Sequence, residues 1–214
     1  MSQTFGQPFI VEGKPGRQRP ARRATQVARA PNDGYTLFLA RCRMRRMWRL
    51  TPASATDLAK ELPTPIALVA TVPSILVVHP SLGVANVQEL IALAKAKPDQ
   101  LFFGSVGVGS PPHLAGELFA VMAGVKLRAR APRRGSGQAA TDLIAGRISM
   151  VFSPASTIAP HITAGSVKAL AAATAKRASL LPDLPTIAGG GLRRAFDSGI
   201  WGGLMAPAGT RRAR

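Results

Sequence analysis

The sequence predicts an α/β fold, a mostly parallel sheet covered by helices, and three observations carry that prediction. Between residues 65 and 173 short apolar runs alternate with amphipathic stretches, the pattern in which each strand returns through a helix to a neighbour running the same way. Prolines and glycines punctuate the alternation at the ends of the elements, where such residues stop helices and turn the chain. The runs at 66–70 and 75–78 are continuously apolar rather than alternating, which suits strands buried on both faces.

The elements follow in order. Residues 35–40 come after the turn signal Pro31-Asn-Asp-Gly34 and read as a short buried strand. After the two apolar strands, Asn86 with Glu89 three residues later makes a capping-box-like start; Leu90, Ile91, Leu93 and Ala94 continue a helix that stops near Pro98. Residues 101–103 are the next strand. A glycine-rich turn over 104–109 then leads into a helix over 114–122, ended by Gly124. Beyond it a helix at 138–145 is closed by Gly146, a strand covers 148–152, a helix at 156–164 is closed by Gly165, and a strand covers 169–173. Residues 14–30 and 41–59 have no sustained apolar period and are rich in Arg, Ala and Pro, so they read as loop or disorder.

With 214 residues, 46% of them apolar, the chain can bury a real core. A formal net charge of +18 invites a nucleic-acid reading, but the distribution of charge argues against it. Of 28 cations, 21 fall in five runs that contain no acid, at 14–29, 41–49, 126–134, 193–194 and 211–214. The remainder carries about −3 and is an ordinary mixed surface. One cysteine, Cys42, excludes an internal disulfide framework and a multi-cysteine zinc site. The first residues lack the basic, apolar and small-residue regions of a secretory signal. The uncharged stretches 62–88 and 148–167 are broken by Pro and Gly, so no transmembrane span of about 20 apolar residues is expected.

The segment from Leu101 to His113 combines a strand, a glycine-rich turn and a helix start, and it is built like an anion site. Ser110 is a good N-cap and Pro111 fits the first helical position, so backbone N–H groups and the positive end of the helix dipole would face a ligand above the strand. Gly107 and Gly109 let backbone approach closely, and the Ser105 and Ser110 hydroxyls can donate to a carboxylate or phosphate. Neither a dinucleotide fingerprint nor a Walker A loop fits, since Pro112 stands where the third glycine belongs and there is no Gly-Lys-Ser/Thr. A strand-to-helix turn with no ligand explains the same residues equally well. In a second loop, Gly135 and Ser136 offer further donors or a plain capping turn, and Ser153 ends a strand where an open α/β sheet exposes ligand-facing side chains or merely caps the turn at Pro154. Catalytic signals are scarce. His79, His113 and His161 are far apart without metal-ligand spacing, so no metal site or cofactor is expected, and His113 reads as a structural hydrogen-bonding residue. Cys42 has no marked partners for a triad, and Trp201 reads as core or cleft lining.

Taken together, Pro65 to Pro80, Val87 to Pro98 and the Gly104-Ser-x-Gly-x-Gly-Ser-x-x-His-Leu-Ala-Gly-Glu-Leu-Phe119 segment resemble the Bug family, the TctC-like substrate-binding proteins of tripartite tricarboxylate transporters. Further matches are Pro31 to Thr36, Gly135 to Gly146, Leu170 to Arg177, Leu181 to Thr186 and Trp201 to Thr210. The resemblance implies a periplasmic-binding-protein-like fold of two α/β lobes joined by crossing strands, closing on a small organic anion without catalysis. It implies a partial first lobe over 1–102, a second lobe over 103–190 and a return crossing over 191–214. Its ligand-binding residues would be Ser105, Gly107, Gly109, Ser110, Gly135, Ser136 and Ser153, with Trp201 near the return crossing. Membrane transporter subunits would be the partners and the periplasm the location.

The chain also departs from the family. Members are longer, opening with a signal peptide, a first strand and a Gly-Gly ligand loop and closing with several helices on the first lobe, so a shortened first lobe and impaired binding are expected. Gly13 to Arg19 replaces the usual Asn-Arg-Pro-Gly-Ala-Gly-Gly, and Arg133 stands where an aromatic is usual. The Arg-rich runs coincide with these lapses, as local reading-frame shifts in a GC-rich gene would produce. The rival class is a basic nucleic-acid-binding protein using those runs, which would require one continuous basic face interleaved with aromatics. The runs hold only one aromatic, Trp48, and are expected to be separate tails and loops with no specific nucleic acid bound.

Overall fold

A computed structural model describes residues 6–12, 26–41, 64–130, 135–192 and 196–211. In chain order the elements are β1 (Phe38–Arg41), β2 (Thr64–Val72), β3 (Ser74–Val78), α1 (Val87–Ala96), β4 (Phe102–Gly104), α2 (Pro111–Ala123), β5 (Arg128–Arg130), α3 (Gly135–Ile144), β6 (Met150–Pro154), α4 (Ala155–Thr163), β7 (Lys168–Ala172) and β8 (Ile200–Ala206). They build a five-stranded sheet in the order β5-β4-β6-β3-β7 and a three-stranded sheet in the order β1-β8-β2.

The five-stranded sheet owes its stability to being covered on both sides. β3 is buried along its whole length, and successive residues alternate between two cores, as the period of two in a strand requires. Leu76 and Val78 join Leu90 and Ala94 of α1, Phe103 of β4 and Phe119 of α2 in one core. Ile75 and Val77 join Leu143 of α3 and Ile158 of α4 in the other. In the first core Phe119, Phe152 and Phe196 form an aromatic cluster with ring centroids 5.7 to 6.5 Å apart, a geometry that adds to simple area burial.

The helix ends are set by the residues the sequence offers. Asn86 caps α1, its side-chain oxygen accepting from the Glu89 N–H at 2.9 Å, while Glu89 accepts from the Ala85 N–H. Gly124 closes α2 in the left-handed conformation at φ 65°. Gly116 does something else: it lets α2 lie directly on the Phe103 ring, because a Cβ there would come within 2.8 Å of three of the ring's atoms.

The α/β fold class holds, with β4, β5, β6 and β7 of the larger sheet pointing one way; within it β3 runs against β6 and β7, and the three-stranded sheet is antiparallel throughout. The cause is local. Pro73 alone separates β2 from β3, so the chain enters the larger sheet from the edge at which the parallel strands leave it. For the same reason the change of sheet falls at Pro73 rather than at 102/103, and residues 74–102 belong with the five-stranded sheet. Leu192 and Phe196 also pack in that sheet's core, so it extends past residue 190. Finally, β2 is not buried on both faces: Ile66, Leu68 and Val69 are more than half exposed. An apolar run records a capacity for burial, not what covers it.

Most residues of the Arg-rich runs lie outside the described residues, but Arg128 to Arg130 form strand β5 rather than a loop. Residues 26–28 likewise form a helical turn. Cys42 and Trp48 lie outside the described residues.

Candidate functional site

The site grows from one consequence of the topology. β5, β4 and β6 are adjacent and parallel, so their carboxyl ends open on the same edge, where an α/β sheet offers ligands free loops and helix starts. Ser105 follows β4 and continues the ladder, its N–H donating to the Arg130 carbonyl at 2.9 Å. Ser153 lies at the end of β6. Because β3 is reversed, its first residue, Ser74, arrives at this edge too, opposite Pro154. The Ser74 carbonyl accepts from Ala173 at 2.7 Å, and the Ala173 carbonyl accepts from Ser198 at 2.8 Å.

The buried polar residues among those described are Ser74, Ser105, Ser110, Ser153 and Ser198, and every one belongs to this edge. The interior elsewhere is apolar, so hydroxyls are concentrated where the strands end. Sequence reasoning missed Ser74 and Ser198. Ser74 carried a faint signal as the hydroxyl between Pro73 and an apolar strand; Ser198, in Asp197-Ser-Gly199, carried none.

Around α2 the geometry is more pointed. Ser105 stands two residues after Phe103, and alternate residues share a face; Phe103 faces α2, its ring 6.0 Å from that of His113. Ser105 Oγ, Ser110 Oγ and His113 Nδ1 are all buried and have no hydrogen-bond partner. A buried group left unpaired costs about 1 to 3 kcal/mol, so three at one turn mark a place built for something besides stability.

Ser110 occupies the N-cap position, but its hydroxyl makes no capping bond. Pro112 at the second helical position removes one of the two N–H groups that could serve it, and the hydroxyl does not take up the other, at His113. The same prolines limit the helix start as an anion cradle, since of its first three positions only His113 carries an N–H. His113 is not the structural hydrogen-bonding residue expected. Its Nδ1 is unpartnered, and its Nε2 lies 3.8 Å from Glu117 Oε1.

Gly107 and Gly109 adopt φ 121° and 74°, and a Cβ at either would meet nothing within 4 Å. Conformation rather than crowding demands glycine there. Gly135 and Ser136 open α3, one helical turn earlier than expected. Trp201 is half-buried in β8, paired with Thr71 of β2 near the crossing between sheets. His79 is spent on capping the short turn Pro80–Leu82, and His161 sits in the last turn of α4. Arg130, the described cation next to Ser105 on the ladder, turns its guanidinium to the Arg147 carbonyl at 3.1 Å. Among the described residues there is no group of three metal-ligating side chains and no helix long and apolar enough to cross a membrane.

Comparison with known proteins gives this edge its context. The UPF0065 protein from the tcbD-tcbE intergenic region of Pseudomonas sp. strain P51 is 33% identical over 213 residues, covering 100% of this chain and 62% of that protein. Rpa4515 of R. palustris, solved with adipate, superposes with TM-score 0.83 at 34% identity, covering 98% of this chain and 69% of that one. MatC of Rhodopseudomonas palustris, solved with bound malate, gives TM-score 0.79 at 28% identity over 98% of this chain and 70% of that one. The chain spans 60% to 64% of the length of six curated relatives that it matches along nearly all of its own length. The two-sheet architecture is thus that of periplasmic binding proteins. Residues 1–213 match the TctC model, described as the tripartite tricarboxylate transporter family receptor, and this chain belongs to that family.

Proposed function

We propose that this chain is the ligand-binding part of a receptor that captures a small mono- or dicarboxylate, or a related organic anion, and delivers it to the membrane subunits of a tripartite transporter from the periplasm. Capture here involves no chemical conversion of the ligand. The observation that carries the reading is the set of three buried, unpartnered polar atoms on Ser105, Ser110 and His113 at the carboxyl edge of the larger sheet. Hydroxyls donate well to carboxylate oxygens, and bonds to a charged acceptor are worth roughly twice neutral ones. The glycine backbone at Gly107 and Gly109 and the start of α3 at Gly135 and Ser136 complete the anion's surroundings, with Ser153 on β6 as a further donor. Adipate and malate, found on Rpa4515 and MatC, set the size and charge of the first ligands to try.

Titration calorimetry with adipate, malate, a monocarboxylate series and inorganic phosphate tests this. Heat, weaker than that of a full-length relative, is expected with at least one carboxylate and is lost in the double variant Ser105→Ala/Ser110→Ala. A folded chain that binds none of the carboxylates overturns the reading.

A further inference from the structure

We propose that His113 is the charge of the anion subsite: it binds as an imidazolium, donating from Nδ1 to the ligand's carboxylate while Nε2 faces Glu117. This rests on the carboxylate reading above and adds to it a named cation and a proton taken from solvent on binding. Three observations lead there. The ring's Nδ1 is buried and without a partner, three residues from the unpartnered Ser110 hydroxyl and in a ring beside Phe103, which stands two residues before the unpartnered Ser105 hydroxyl, both serines being 0% exposed. Residues at the N-cap and third helical positions share a helix face, so the Ser110 and His113 side chains border the same space. The opposite nitrogen lies 3.8 Å from Glu117 Oε1, one turn further along α2.

The charges around the ring then decide its role. Glu117 is the charged group that the described residues set against it; Phe103, from β4, is uncharged, and Arg130 of β5 is engaged elsewhere, with the Arg147 carbonyl. A ring between two carboxylates, one its own and one arriving with the ligand, is stabilised as the cation. In that form both nitrogens are donors, which removes the orphaned lone pair on Nδ1 and gives the ligand a charge-assisted bond beside two hydroxyls. With no ligand, no group among the described residues accepts from Nδ1, so that nitrogen is the bare one. Binding therefore moves one proton from solvent to Nδ1, and no other bond forms or breaks.

The experiment uses the whole chain and adipate, with malate in parallel. Calorimetry above the ordinary histidine range, at about pH 8, is run in two buffers of different ionisation heat. The inference expects buffer-dependent heat equivalent to uptake of up to one proton per ligand. His113→Gln, which keeps a donor but cannot be charged, is expected to abolish that uptake and weaken binding about tenfold to a hundredfold. Glu117→Gln is expected to reduce the uptake while preserving some affinity. Nitrogen NMR of the imidazole in the unsubstituted chain gives an independent readout, with both ring nitrogens protonated only when ligand is added. Binding of adipate or malate with no proton uptake, or with an imidazole unchanged on saturation, overturns the role of His113 and leaves the carboxylate reading standing. Absence of binding by every carboxylate overturns both.

Discussion

Replacing Gly116 by alanine drives a methyl carbon against the Phe103 ring. Alanine in a helix interior is worth about 0.5 to 1 kcal/mol over glycine, so on propensity alone Gly116→Ala would stabilise α2. Packing reverses the sign. The new Cβ would meet three ring atoms of Phe103, the farthest of them, Cζ, at 2.8 Å, where carbon atoms prefer roughly 3.5 to 4.0 Å. Phe103 is 0% exposed and packed under α2 in the first core, so the ring cannot swing into solvent and the helix has to lift. Overpacking of this kind costs about 1 to 3 kcal/mol, and a clash with the body of a ring belongs near the upper end. The net expectation is a loss of about 2 kcal/mol, read as a fall in the urea midpoint of roughly 1 M for a slope of about 2 kcal/mol/M. Phe103→Leu, which withdraws the ring edge, should partly rescue it, giving a coupling energy above about 0.5 kcal/mol in the double-mutant cycle. Gly104→Ala is the comparison, with a smaller loss expected, because its Cβ meets the tip of Ile148, Cδ1 at 2.5 Å, a flexible end that can turn, and otherwise Val151 Cγ2 at 3.3 Å. A Gly116→Ala variant as stable as the parent, or strictly additive effects with Phe103→Leu, would refute the reasoning.

Three further outcomes are expected. Asn86→Ala removes the oxygen that accepts from the Glu89 N–H at 2.9 Å and should cost about 1 kcal/mol, measured by chemical denaturation. Ser105→Ala and Ser110→Ala each delete a buried hydroxyl that has no partner in the protein, so each should leave the unligated chain as stable or raise its stability by up to about 1 kcal/mol, while anion binding weakens; a loss of stability would mean the hydroxyls already bond within the fold. Retention on DNA should be present at low salt and gone by about physiological ionic strength, since dispersed cations release counterions without reading sequence; sequence-selective retention above that would replace the transporter reading.

The parts of the fold that the sequence made legible are those whose cause is local. Asn86 and Glu89 mark the start of α1, Gly124 marks the end of α2, and the run at 75–78 is a buried strand because its residues have no polar face to turn outward. What stayed hidden depends on partners distant in the chain. The run at 66–70 has the same apolar character as 75–78, yet β2 lies at the edge of a small sheet and β3 at the inside of a large one. No local signal separates the two. The candidate site divides the same way. Ser105, Ser110 and Ser153 could be found because strand, turn and helix start are written consecutively; Ser74 and Ser198 reach the same edge only through the reversal at Pro73 and the return beyond Phe196. Neither the missing cap at Ser110 nor the bare nitrogen of His113 could be read locally, since both depend on how the turn and α2 pack.

The position of β8 has a consequence for how the chain reaches its folded state. β8 lies between β1 and β2 and pairs with both, and those two strands do not pair with each other. During synthesis β1 and β2 therefore emerge before the strand that pairs with both among the described residues, which follows roughly 130 residues after the end of β2. At ribosomal speeds of about 5 to 20 residues per second, that is a wait of roughly 7 to 26 seconds, while the units from β3 to β7 can close among near neighbours. An apolar nine-residue edge strand left open that long is a natural substrate for chaperones, and for any other unpaired strand it meets first.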